Sequence, residues 1–357
     1  MGEPVVRAAL LLTALAACAH HDACGSEGTL AFDRCVGKAM DSVLVTEGTY
    51  AEIDDAGIRS YVAAVGMRLV RATGDHQDWT FRVVDEPGIA GEANVGTTVY
   101  VTRGALAQLR SEAELAGLLG HEIGHVVAGH GHDALIERTR ELAVDTHDRD
   151  RDDEVQADEL AVLLTSRAGY DPRAVETMLR ALGAGDPPGE DRDVHPPWAQ
   201  RLVRVRAFAM QMPAGGERGE AEYAAHMSGL VVGTDPRRVA ALGSTIVLVK
   251  ANLAIDLPRG STLDVASGNA VAAVAGSGLI VKPITRALVK YMKPEHAADK
   301  LMLLRDGPHG GVVIAIVGSA PPSTLSMLHF RAPRADEIAK LQPRRFDPHE
   351  PRDLRPD

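Results

Sequence analysis

Two histidines four residues apart flank a glutamate in the run His121-Glu122-Ile123-Gly124-His125. On a helix, positions i and i+4 share a face, so both imidazoles can grip one zinc ion. The Glu122 carboxylate between them can then take a proton from a water on that metal. This is the minimal set for hydrolysing a peptide bond with zinc. Such a site needs a third protein ligand and an open fourth position. Glu154, in the acidic run Asp152-Asp153-Glu154-Val155-Gln156-Ala157-Asp158-Glu159, can supply the ligand. Asp158 shares its face and can accept a proton from the far nitrogen of a ligand histidine, which orients the ring and raises its basicity. The bland alternatives are a buried helix with two hydrogen-bonded histidines and a solvated acidic face over 148–159. Their occurrence in one chain favours a site. A third segment is His195-Pro196-Pro197-Trp198-Ala199-Gln200-Arg201. Proline restricts the residue before it, so His195 sits in a rigid extended turn. His195 and Arg201 suit stabilisation of the oxyanion of a tetrahedral intermediate. They suit equally a loop histidine and an arginine paired with an acidic surface.

These side chains need particular elements to position them. Ser111 and Glu114 form a capping-box pattern. Leu115, Leu118, Leu119, Ile123, Val126 and Val127 then recur at helical spacing, which predicts one helix over 111–130. Gly117, Gly120, Gly124 and Gly129 oppose it, each costing about 1 kcal/mol relative to alanine inside a helix. A helix so rich in glycine makes sense where other backbone or a metal site approaches closely. The second helix begins acidic near Asp152, as a helix N-terminus prefers, and continues to Gly169. Helices are also expected over 56–72 and 172–182, with strands at 79–84 and 99–102, and the apolar run over 202–210 closes the domain. Pro213 to Gly219 reads as a linker.

Taken together, these segments resemble the M48 family of zinc metallopeptidases. The matching pieces run in the family's order: Val99-Tyr100-Val101-Thr102-Arg103-Gly104-Ala105-Leu106, His121 to His125 with His130, Glu154-x-x-Ala-Asp158, Gly169-Tyr170-Asp171-Pro172, and His195 to Arg201. They cover roughly residues 40 to 210. The resemblance implies an α+β fold: a mainly helical, gluzincin-like protease domain with a small sheet and an edge strand, followed by a smaller C-terminal α+β domain. It implies that His121, His125 and Glu154 bind one zinc, that Glu122 is general base and acid, and that Asp158 orients a ligand. His195 and Arg201 would act near the open metal position. Polypeptide substrates would lie along the edge strand at Val99 to Thr102 by added-strand pairing. Thr97, Thr98, Val99 and Tyr100 would shape the cleft. The chain departs from the family in two places. Only 28 residues separate His125 from Glu154, and Ala90 to Thr97 replaces the usual Asn-Ala-Phe-Ala stretch and glycine pair.

At the N-terminus, Arg7 precedes the apolar run Ala8 to Ala17, too short to anchor as a membrane span. Leu15-Ala16-Ala17-Cys18 resembles a bacterial lipobox, which implies cleavage before Cys18 and lipid attachment there. An ordinary secretory signal cut after a nearby alanine is the other reading. Ala19 after Cys18 favours the outer membrane by the sorting rule for such lipoproteins. Residues 1–17 are thus read as a signal peptide, 18–42 as a tether and 43–212 as the metallopeptidase domain. Residues 213–219 form the linker, 220–345 the accessory domain and 346–357 a disordered tail rich in proline and charge. Cys24 and Cys35 can pair in an oxidising periplasm or stay as thiols.

The net charge of −11, with aromatics at 4% and no basic stripe, argues against a nucleic-acid partner. No segment after Cys18 reaches membrane-span length; Ala270 to Ile284 is apolar but interrupted by Gly276, Gly278, Lys282 and Pro283. In the second domain, strands are expected within 243–257, 300–304 and 311–317 and a helix over 284–291, with no catalytic constellation. The sequence therefore predicts a zinc metalloendopeptidase, lipid-anchored in the periplasm, acting on unfolded or misassembled envelope proteins. The alternative is a zinc-bound, proteolytically silent binding or assembly factor.

Overall fold

A computed structural model of the chain describes residues 24–25, 29–46, 50–132, 147–183, 197–266, 269–274, 279–285, 301–307, 310–317 and 326–352. It divides into two units. The first comprises residues 1–43, 52–230 and 345–357, and the second 44–51 and 231–344.

The first unit is mainly helical around a small sheet. Helix α1 (Leu30–Thr46) occupies much of the segment expected to be a tether. Phe32, Val36 and Met40 recur every four residues and are buried together, with Cys24 and Val95 packed against them. That stripe makes the segment part of the unit rather than a spacer. A disulfide joins Cys24 to Cys35. Helix α2 (Ala56–Thr73) follows, capped at its start by Asp55 and at its end by left-handed Gly74.

Strands β1 (Thr80–Val84), β2 (Gly91–Ala93) and β3 (Thr98–Thr102) pair in the order β1-β3-β2. The edge-strand expectation for Thr97 to Thr102 is corrected here. β3 is central, parallel to β1 and antiparallel to β2, and all five of its residues are buried. Alternation marked it as a strand, but its β-branched and aromatic side chains suit the middle of a sheet. Tyr100 does not shape a cleft: its hydroxyl donates to Asp41 of α1 at 2.9 Å, and Arg82 donates to the same carboxylate. Thr97 donates to the Asp78 carbonyl. On the far side of β1, Ile53 pairs with Val83 and Glu52 bridges to Val84. Among the described residues, β2 is therefore the strand with the open edge.

Helix α3 (Arg103–Gln108) leads into α4 (Glu112–Ala128). Ser111 accepts a hydrogen bond from the Glu114 backbone, while the Glu114 side chain turns back to the Arg110 backbone. Gly129 ends the helix at φ 82°. Helix α5 (His147–Arg167) packs along α4, and α6 (Ala174–Gly183) and α7 (Trp198–Ala209) complete the layer. The close approach anticipated from the glycines is present. A Cβ on Gly120 would stand 3.3 Å from the Ala161 Cα, and one on Gly124 would stand 3.2 Å from the Ala157 carbonyl. Small residues on both helices bring the two backbones together.

After α8 (Glu220–Met227) the chain leaves this unit and later returns to it. The composition of 346–357 predicts disorder, yet the described part, through Arg352, lies in place. Phe346 packs edge-on to Tyr223, and Arg352 donates to both oxygens of the buried Glu114 carboxylate at 2.6 and 2.7 Å. The charge that suggested disorder finds a buried partner at the start of α4.

The second unit is mostly antiparallel sheet. Strands β4 (Ala240–Leu242), β5 (Thr245–Leu248), β6 (Leu253–Asp256) and β12 (His329–Arg331) pair in the order β12-β6-β5-β4. Strands β7 (Thr262–Ala266), β8 (Asn269–Val274), β9 (Leu279–Thr285), β10 (Leu301–Gly307) and β11 (Gly310–Val317) pair as β10-β11-β9-β8-β7. Ile246, Ile255, Leu248 and Leu328 share its core. One short helix, α9 (Ala335–Lys340), follows β12. The helix expected over 284–291 is corrected at its start: Ile284 and Thr285 belong to β9, paired with Val313 and Val312. The β-branched run there outweighs the helical spacing. Residues 286–291 lie outside the described residues. No described helix is long and apolar enough to cross a membrane.

Candidate metal centre

Three side chains from two helices converge in the first unit. His121 and His125 lie on α4 and Glu154 on α5. The two Nε2 atoms are 3.1 Å apart. Glu154 Oε2 lies 3.5 Å from His121 Nε2, and Oε1 lies 3.4 Å from His125 Nε2. A tetrahedral zinc with bonds of about 2.0–2.2 Å separates its ligand atoms by about 3.3–3.6 Å. Two imidazole nitrogens and one carboxylate are also the donor chemistry that zinc prefers. The residues present fit such an ion.

The surroundings fix these ligands. His121 turns its other nitrogen, Nδ1, to Asp158 Oδ1 at 3.0 Å. Arg201 holds Asp158 in a two-pronged pair, Nε to Oδ2 at 2.8 Å and Nη2 to Oδ1 at 2.7 Å. Its third nitrogen is 3.5 Å from Glu154 Oε2. Asp158 and Arg201 are only 2% and 4% exposed. The expectation that Arg201 acts at the open metal position is thus revised. Its first-turn place on α7 aims it at Asp158, and its fork geometry suits that carboxylate. The Trp198 ring lies 5.0 Å from its guanidinium carbon.

The electrostatics follow from burial and pairing. Burial opposes the charge on Asp158, but Arg201 and the His121 bond outweigh it and hold the carboxyl at about 2. Burial likewise works against Glu154, yet hydrogen bonds from His121 and His125 hold it well below the usual carboxylate range. Burial works against a charged His121, while Asp158 and Glu154 raise it to about 10. A metal must displace that proton to bind. Glu122 differs: burial dominates, and its carboxyl is pushed up. A carboxylate raised in this way suits a general base.

Glu122 faces the sheet. A Cβ on Gly91 of β2 would stand 2.7 Å from Glu122 Oε1. The open-edged strand therefore passes directly beside the carboxylate because residue 91 lacks a side chain. His195 lies outside the described residues, as does Cys18. Two contributors escaped the sequence reading. Gly91 gave no signal in so short a strand. His130 was noted in the motif without a task, although the crowding of His121, His125, His130 and His132 in one stretch of sequence marked it.

Residues 58–144 match the family model described as peptidase family M48. The matched segment contains α4 with His121, Glu122 and His125. The chain is also similar to the mitochondrial metalloendopeptidase OMA1 of Arabidopsis thaliana, at 30% identity over 148 residues. The similarity covers 34% of this chain and 30% of that protein, so the chain spans less than a third of that relative's length. Glu154, Asp158 and Arg201 lie beyond the span of the family model.

Proposed function

We propose that this chain is a zinc-dependent metalloendopeptidase. The observation that carries the reading is the convergence of His121, His125 and Glu154 beside a buried Glu122 whose carboxyl burial pushes up. When bound to those three ligands, zinc supplies Lewis acidity and makes water a better nucleophile. Glu122 takes the proton of the attacking water and delivers it to the leaving amine. Asp158, held by Arg201, keeps the His121 ring oriented with Nε2 toward the metal. An extended polypeptide pairs with the open edge of β2, which brings its backbone past Gly91 to Glu122. His195 remains the candidate donor to the oxyanion, with Arg201 acting indirectly through Asp158.

The substrate class we propose is unfolded or misassembled cell-envelope protein, cleaved in the periplasm by an enzyme anchored to the outer membrane through acylated Cys18. The lipobox-like Leu15-Ala16-Ala17-Cys18 and the disulfide between Cys24 and Cys35 support that compartment. Replacing Glu122 by Gln tests the mechanism. The variant should keep its zinc and cleave casein about 10²–10⁴-fold more slowly. Cleavage at the parent rate would refute the assignment. Stoichiometric client capture without turnover, in zinc-replete wild type, would favour the silent binding factor instead.

A further inference from the structure

The two histidine ligands are supported in different ways. His121 leans on a carboxylate, whereas His125 turns Nδ1 to a third imidazole, His130 Nδ1, at 2.9 Å. The far nitrogen of His130, Nε2, lies 3.0 Å from the Gln156 amide oxygen and 3.5 Å from Asp153 Oδ1. Both of these belong to α5, the helix that carries Glu154. The segment bearing His130 is itself clamped. His132 Nδ1 lies 2.7 Å from the buried Asp33 of α1, and a Cβ on Gly131 would touch the Val95 backbone at 3.2 Å.

We infer that His130 is a positioning residue that fixes the tautomer and orientation of His125 for metal binding. The hydrogen-bond polarity admits one self-consistent arrangement. The Nε2 atom of His125 faces Glu154 and His121, so a metal takes that lone pair. A neutral imidazole then carries its proton on Nδ1. That proton is donated to His130 Nδ1, which must present a lone pair. Neutral His130 consequently bears its own proton on Nε2 and donates it to the Gln156 oxygen. Each donor meets an acceptor, and the relay ends on the helix that supplies the third ligand. A ligand histidine usually donates to a carboxylate, carbonyl or water; here an imidazole takes that place. Without it, His125 would lose the contact that stops its ring rotating and its second tautomer forming.

This inference rests on the metal site proposed above, and the experiment separates the two. Zinc affinity of the full chain is measured by competition with a chromophoric chelator for wild type and His130→Ala. The metal-free melting temperature of each serves as a check on folding. In parallel, nitrogen-15 NMR of the zinc-loaded wild type locates the ring protons of His125 and His130. His130→Ala should bind zinc about 10–100-fold more weakly. The wild-type spectrum should show a proton on His125 Nδ1 and on His130 Nε2. Zinc affinity of His130→Ala within twofold of wild type would overturn the inference, as would a proton on His130 Nδ1. Wild type that binds no zinc would remove both this inference and the metal site; a zinc-binding wild type matched by the variant would remove this inference alone. The spectrum keeps the test decisive even if the variant fails to fold.

Discussion

Asp158 carries two tasks with one carboxylate. It takes the Nδ1 side of His121 and both prongs of Arg201, all in a buried setting. Removing one partner from such a group leaves an opposing charge buried, which costs about 3–5 kcal/mol. Asp158→Asn is therefore expected to destabilise the fold by about that amount, and to weaken zinc binding about 10–100-fold. Urea unfolding of the metal-free protein and zinc competition measure the two effects separately. A variant that loses neither would show that Arg201 and His121 are held by something else. The residue types at the centre were readable from spacing, because i, i+4 pairs on helices determine which side chains share a face. The partner of Arg201 was not readable: its place on the first turn of α7 depends on how that helix packs on α5, which spacing does not encode.

The pairing of α4 with α5 makes the site at the level of elements. Gly120 and Gly124 let the helices approach until two histidines on one and a carboxylate on the other meet. Gly124→Val should push α5 away at the Ala157 backbone and the Leu160 side chain, at a cost of about 1–3 kcal/mol. It should also weaken zinc binding without touching a ligand. A thermal melt of the metal-free variant and its zinc affinity would check this; unchanged values for both would show that the glycine has no packing task. The glycines were legible as an anomaly in an otherwise apolar helix, and the anomaly pointed to close approach. The sheet was less legible. Thr98 to Thr102 announced itself by alternation, but Gly91-Glu92-Ala93 has three residues and no β-branched one. Its pairing with β3 is the non-local hydrogen bonding that makes it a strand and places it, not β3, at the edge of the sheet. In α1, the four-residue spacing of Phe32, Val36 and Met40 is legible in the sequence and outweighs the tether expectation for that segment.

At the scale of the molecule, both units contain arginine–carboxylate pairs. The second unit has an ion-pair cluster in which Arg331 donates to Asp256 and Glu337, with Glu337 only 3% exposed. The hydrogen bond from Arg331 is the largest influence on both carboxyls, holding Glu337 at about 2 and Asp256 below its usual range. Their folded values lie below those of the unfolded chain, so their stabilisation is present above about pH 4 and is lost as the pH falls toward the folded values. The melting temperature of wild type should exceed that of Arg331→Met at pH 6, and the gap should close as the pH is taken from about 4 to 2. A gap independent of pH would place the effect in packing rather than charge. The linker expectation for Pro213 to Gly219 is corrected: the run lies inside the first unit, where Glu217 pairs with Gly169 and Asp171, and the chain passes to the second unit only after Leu230. The return of residues 345–352 was not readable, because it depends on Glu114 being buried far away in sequence. For the whole chain the central claim is that His121, His125 and Glu154 hold one divalent metal. The direct measurement is the zinc content of folded, metal-supplied protein after dialysis, for wild type and for Glu154→Gln. The account predicts about one equivalent in wild type and a large loss in the variant, with folding retained by circular dichroism. Wild type without zinc, or a variant that holds it as firmly, would contradict the account.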